Sequence, residues 1–233
     1  MIVGMSYEKV AKMSTRMNRA EMGVATPTSF QNKKTYFEFL SHFETRNLEK
    51  IKAGVLNHFD ASAKVNASHP INEAAQGTGY YSDIILPIAQ SLDGFTRQNY
   101  IVLGGEYQGT EWVTSTGYFY GHFIKPIFGI PPNNKMAFLR FGEFHKMENG
   151  KIIETHVYLG LAELIIALGL WPLCPNKGYE GLVPGPATHD GVLIENSDPL
   201  KSRASGDLVE GMLKRLATED AQWKPYWSDN MVW

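Results

Sequence analysis

The spacing of apolar positions changes several times along the chain, and each change predicts a different element. At the start, Met5, Met13, Met17 and Met22 are interleaved with Lys9, Lys12, Arg16 and Arg19, which predicts an amphipathic helix ending near Gly23 and Pro27. A polar link over 26–34 follows. Phe37, Leu40, Phe43, Leu48, Ile51, Val55 and Phe59 then fit one or two helices packed on one side. That pattern breaks over 60–62, and a short extended piece over 64–68 leads to His69-Pro70. A second helical stretch over 80–92 tolerates Pro87 only as a kink or an irregular join, because proline offers no backbone N–H.

Beyond a turn at Asp93-Gly94 the alternation becomes that of strands. Runs over 95–103 and 111–123, separated by Gly104-Gly105 and Gln108-Gly109, predict a hairpin with a loose loop. A Pro/Gly-rich crossing over 126–134 leads to a second hairpin over 138–160. Its turn, Asn149-Gly150, suits a type I′ geometry, which needs positive φ at both central residues. A two-residue loop pairs Glu148 with Lys151, Met147 with Ile152, His145 with Glu154, Glu143 with His156 and Phe141 with Tyr158, all on one face. The other face carries Phe144, Gly142, Ile153, Thr155, Val157 and Leu159.

Helix, strand, helix, then four antiparallel strands predict an α+β fold: a curved antiparallel sheet with helices closing one face. Gly104, Gly117, Gly121 and Gly142 in or beside the strands mark bulges or bends, and a bent sheet under helices encloses a pocket. Pro172, Pro175, Pro184 and Pro186 alternate with Gly178, Gly181, Gly185 and Gly191, as in a linker or a surface-hugging arm. Leu208, Met212, Leu213 and Leu216 then recur at helical spacing before Trp223, Tyr226, Trp227 and Trp233.

Composition narrows the class. With 43% apolar residues in 233, the chain can build a packed core. A formal charge of −2 and the lack of a basic block interleaved with aromatics give no argument for nucleic acid or an anionic membrane. The longest apolar run, 159–173, is interrupted by Gly160, Glu163, Gly169 and Pro172, so no membrane span is expected. One cysteine, Cys174, excludes an internal disulfide and fits a reducing cytoplasm. The seven histidines lack metal-ligand spacing, and no glycine-rich phosphate cradle precedes a helix, so neither metal nor cofactor is expected.

His69-Pro70, Gly117-Tyr118-Phe119-Tyr120-Gly121, Gly129-Ile130-Pro131-Pro132, and Arg140-Phe141-Gly142-Glu143-Phe144 with Asn149-Gly150-Lys151-Ile152 resemble the SnoaL-like polyketide cyclase family. The likeness runs over about 48–169. It implies a cone-shaped α+β barrel of the nuclear transport factor two and cystatin-like kind. Asn133-Asn134 stand where the family often has Thr-Gly, and Gly160 stands where its cyclases carry an acid/base aspartate. Trp171-Pro172-Leu173 and Gly185-Pro186-Ala187-Thr188 resemble the connector of proteins with two such cones in tandem. The expected division is an N-terminal helical extension over 1–34, a cone over 35–170, and over 171–233 a connector, a helix and the start of a second cone.

The resemblance turns His156 and Tyr158 toward the cavity, and the hairpin register adds Glu143. A carboxylate beside an imidazole yields a group that titrates near neutrality, as general acid/base catalysis requires. His156 is then the expected proton-transfer group, Glu143 its charge-setting partner, and Tyr158 a donor to a developing oxyanion. The bland alternative is a cross-strand pair that only satisfies buried polarity. His145 and Glu154 read as a solvated pair. His69, Trp112, Tyr118 and Phe141 are the expected substrate-binding residues, with core packing as the alternative for the aromatics. Two functions remain open: a cofactor-free cyclase, isomerase or dehydratase acting on a small apolar or aromatic molecule, or a non-catalytic ligand-binding or dimerisation module. A homodimer is expected in either case.

Overall fold

A computed structural model describes residues 25–174, 182, 185, 188–194, 198–216 and 224–227. The amphipathic helix expected over 1–23, most of the proline-rich arm, Trp223 and the second-cone start over 228–233 lie outside the described residues. The polar link expected over 26–34 is instead the first two turns of helix α1 (Pro27–Glu44). Thr26 caps it, accepting from the Ser29 N–H while the Ser29 hydroxyl accepts from the Thr26 N–H, and Pro27 fits the first turn because its missing N–H has no partner there anyway. The buried side of α1 carries Asn32, Tyr36, Phe39 and Phe43, one position off the expected Phe37 and Leu40.

Helix α2 (Leu48–His58), capped by Asn47, leads directly into β1 (Phe59–Ala67). A π-helical turn, Tyr80–Ile85, is joined to α3 (Leu86–Ser91) at Pro87, the irregular join expected there. Then come β2 (Leu92–Tyr107), β3 (Thr110–Phe123), β4 (Met136–Glu148), β5 (Lys151–Leu159), α4 (Leu161–Ala167) and α5 (Pro199–Leu216). The sheet order is β1-β5-β4-β3-β2, antiparallel except that β1 runs parallel to β5, with α1 against β2 and β3. The result is α+β: a curved, unclosed five-stranded sheet whose inner face is covered by helices.

Two strands depart from the expected boundaries for one reason. Asp93-Gly94 and Gly104-Gly105 are not loops but parts of the 16-residue β2, and the hairpin turn is Gln108-Gly109, both at positive φ. β2 bulges twice against β3, after Asp93 and after Asn99. Glycines make room for both bends: a Cβ on Gly117 would lie 2.0 Å from the Gln98 carbonyl oxygen, and one on Gly121 would lie 2.7 Å from that of Asp93. Gly142, also expected at a bend, has open space where its side chain would be.

The β4–β5 turn is as expected, with Asn149 and Gly150 at φ of 50° and 73°. Glu148 pairs with Lys151 and Met147 with Ile152, after which Lys146 pairs with Glu154. Ile153 is an extra residue, a β-bulge, and every pair beyond it is shifted by one. Since side chains alternate with period two, that single residue exchanges the faces of all later positions on β5.

Candidate functional site

The bulge reassigns the expected site. Glu143 pairs with Val157 and His156 with Phe144, so the expected pairing of Glu143 with His156 and of Phe141 with Tyr158 is not formed. Glu143 points inward and is fully buried, whereas Tyr158 is 57% exposed on the outer face. The acid–imidazole partners are exchanged. His145, expected to be solvated, is fully buried with Nε2 3.2 Å from Glu143 Oε2, and His156 on the outer face has Nε2 3.0 Å from Glu154 Oε1.

Inside the cone, the inward positions of β2, β3, β4 and β5 converge with α1 and the π-helical turn on one carboxylate. Arg97 on β2 donates to both Glu143 oxygens, Nη2 at 2.6 Å and Nη1 at 3.3 Å. The Tyr80 hydroxyl donates to Oε1 at 2.7 Å and the Tyr36 hydroxyl lies 3.1 Å from Oε2. Ser115 lies 2.7 Å from the Tyr36 hydroxyl, and Thr155 2.7 Å from His145 Nδ1. Arg97 also donates through Nε to Asn99 at 2.9 Å, and its guanidinium lies over the rings of Phe141 at 4.4 Å and Phe43 at 4.9 Å. The Asn99 amide nitrogen is the one buried side-chain polar atom without a hydrogen-bond partner among the described residues.

Charge in this interior is fixed. Burial alone raises the Glu143 carboxyl, but the Arg97 guanidinium and the His145 hydrogen bond overcome it and hold the group well below the usual carboxylate range. Burial raises Tyr36 and Tyr80, and Glu143 beside them adds to it. The carboxylate is therefore an ionised acceptor ringed by neutral hydroxyl donors, with both oxygens taken by protein groups. An acid bound this way stabilises the fold above its ordinary value of 4.5 and loses that contribution as pH falls; the tyrosines stabilise it below 10.0 and lose theirs as pH rises. Urea unfolding across pH should show a plateau between about 5 and 10 with falling stability on both sides. A level free energy from about pH 6 to pH 3 would exclude an ionised, paired Glu143.

The expected substrate-binding residues are dispersed. His69 is exposed on the turn after β1, and Phe141 is buried inside against Phe119 and Arg97. Tyr118 and Trp112 lie on the outer face, Tyr118 accepting from Arg140 at 2.8 Å while Arg140 pairs with Glu163 at 3.1 Å. Gly160, at the aspartate position of the resemblance, closes β5 and caps α4. Tyr36, Tyr80, Arg97, Ser115 and Thr155 were not singled out by the sequence; Arg97 had a signal, as the one charge at an inward position beside Phe95 and Phe119. Among the described residues no three His, Cys, Asp or Glu side chains gather to hold a metal, and no helix is long and apolar enough to cross a membrane.

No family model matches the chain, and no curated protein matches it. Solved structures do resemble it. A protein assigned as a SnoaL-like polyketide cyclase from Jannaschia sp. CCS1 aligns with a TM-score of 0.49 at 14% identity, covering 64% of this chain and 97% of its own. IdmH from Streptomyces antibioticus, assigned as a polyketide cyclase, aligns at 0.44 and 16%, covering 60% and 99%. A Bacillus subtilis protein assigned as an isomerase aligns at 0.46 and 12%, covering 61% and 96%. The activities named belong to those proteins, and the α+β architecture described here rests on this chain's own strands and helices.

Proposed function

We propose that this chain is a non-catalytic association module whose partner is a second copy of itself, seated on the outer face of the sheet. The observation that carries this reading is the exposed apolar surface on β4 and β5. Met136, Phe138, Phe144 and Tyr158 are each 37–57% exposed, and Phe144 and Tyr158 meet edge to face at 6.0 Å. Monomers rarely leave a contiguous apolar patch of more than a few hundred Å² open to water. Arg140 and Lys146 share the face with Glu154, so a two-fold axis brings opposite charges together around an apolar centre. The inner face favours the same conclusion, because a carboxylate whose two oxygens are occupied by Arg97, Tyr36, Tyr80 and His145 has no lone pair to offer a substrate.

Light scattering should give twice the chain mass of 26.1 kDa, and Phe144→Glu with Tyr158→Glu should reduce it to that mass without loss of helix and strand signal. A monomeric wild-type chain at about 100 μM overturns the proposal, since a stable dimer buries about 800 Å² per partner and forms well below that concentration.

A second reading keeps cofactor-free acid/base chemistry of the cyclase, isomerase or dehydratase type on a small apolar or aromatic molecule. What favours it is the hydrogen-bonded series Thr155, His145, Glu143 beside two tyrosine hydroxyls. Turnover that is lost in His145→Gln with the fold intact would establish it in place of the first.

A further inference from the structure

Away from the buried cluster, a hollow of about 450 Å³ opens where the first turns of α1 cross the end of β2. Phe30, Leu103, Tyr107 and Trp112 supply its apolar walls, and Ser202 and Ser205 of α5 form part of its rim. Gly104 and Gly105 add backbone to its lining. A Cβ on Gly104 would lie 2.9 Å from the Ser29 carbonyl oxygen and 3.5 Å from the Lys33 Cβ, so the lysine stem lies over the glycine. The size suits one small organic molecule.

The charges around the hollow are unequal in their commitments. Glu111 accepts from the Thr26 and Ser29 hydroxyls, both at 2.7 Å, and Glu106 accepts from the Gly109 N–H at 3.0 Å. Lys33 is half-buried, burial lowers it, and among the described residues no carboxylate forms an ion pair with it. A partly desolvated ammonium with no ion-pair partner among the described residues is a positive charge at the edge of an aromatic cavity.

We infer that this hollow binds a small aromatic monocarboxylate, its ring against Phe30 and Trp112 and its carboxylate on the Lys33 ammonium. One anionic group matches the single ammonium on this rim, and a further one would meet Glu106 with no second cation to offset it.

Titration calorimetry with indole-3-acetate and its neutral counterpart indole-3-acetamide tests the site on the full chain. The acid should bind at least about tenfold more tightly than the amide, in keeping with a charge-assisted hydrogen bond. Lys33→Met should bring the acid down to the affinity of the amide and leave the amide unchanged, and Trp112→Ala should weaken both. Equal affinities of acid and amide, no effect of Lys33→Met, or no heat from either compound at millimolar concentration would each overturn the inference. The oligomeric state enters none of these outcomes, so the site stands or falls independently of the association proposed above.

Discussion

Arg97→Met should cost about 3–5 kcal/mol of stability, the usual consequence of removing one partner from a buried ion pair. The arginine is the only cation donating to both oxygens of a carboxylate that water does not reach among the described residues, and methionine fills its space among Phe43, Phe119 and Phe141 without replacing its charge. Adding Glu143→Gln should recover part of the loss, because the uncompensated charge is gone while the amide oxygen accepts from Tyr80 and the amide NH2 donates to the Tyr36 hydroxyl, which in turn donates to Ser115. Urea unfolding of the two single variants and the double variant completes a cycle whose coupling should be favourable to the wild-type pair. A loss below about 1 kcal/mol for Arg97→Met would show that the guanidinium does not hold this carboxylate.

Inserting one alanine between Glu154 and Thr155 should prevent the native fold altogether. Beyond the insertion β5 slips by one residue against β4, pairing His156 with Glu143 and Tyr158 with Phe141 and turning Thr155, Val157 and Leu159 out to water. Exposing Val157 and Leu159 alone forfeits about 3–6 kcal/mol, comparable to the whole stability of a domain of this size. Deleting Ile153, by contrast, removes only the unpaired residue and should leave every later pair, and the fold, in place. Near-ultraviolet circular dichroism and amide spectra should show lost tertiary packing in the insertion variant and native packing in the deletion variant. An insertion variant that folds natively would mean that the strand recovers its register elsewhere, and the pairing after the bulge would not be what sets the faces.

The same bulge marks where the sequence stopped being legible. The turn was readable, since Asn-Gly admits little besides two residues at positive φ. The position of the slip shows only in the disagreement of parity between β4 and β5. Phe141, Glu143, His145 and Met147 face one way, whereas Ile152 shares parity with Glu154 and not with Val157 and Leu159. Adjacent Ile152 and Ile153 are where alternation fails, and an extra residue reconciles the two strands. On α1 the difficulty was an aromatic on each side of the helix: Tyr36 and Phe39 won the interior over Phe37 and Leu40 because the Tyr36 hydroxyl reaches Ser115 and Glu143. That preference depends on partners about 80 and 107 positions away, which helical periodicity does not contain. The overall α+β order, the irregular join at Pro87 and the crowded glycines at 117 and 121 rest on local chemistry and were legible for that reason.

The segment after α4 bears on how the cone keeps to itself. β2 is an edge strand, and the short turn Asp190–Val192 lies against it, so close that a Cβ on Gly191 would meet the Tyr100 carbonyl oxygen at 2.2 Å. An unguarded strand margin is a template for endless pairing between molecules. With its own backbone packed against that margin, the chain shields part of β2 from such pairing, and the association proposed above would use the broad side of the sheet, where contacts close on themselves.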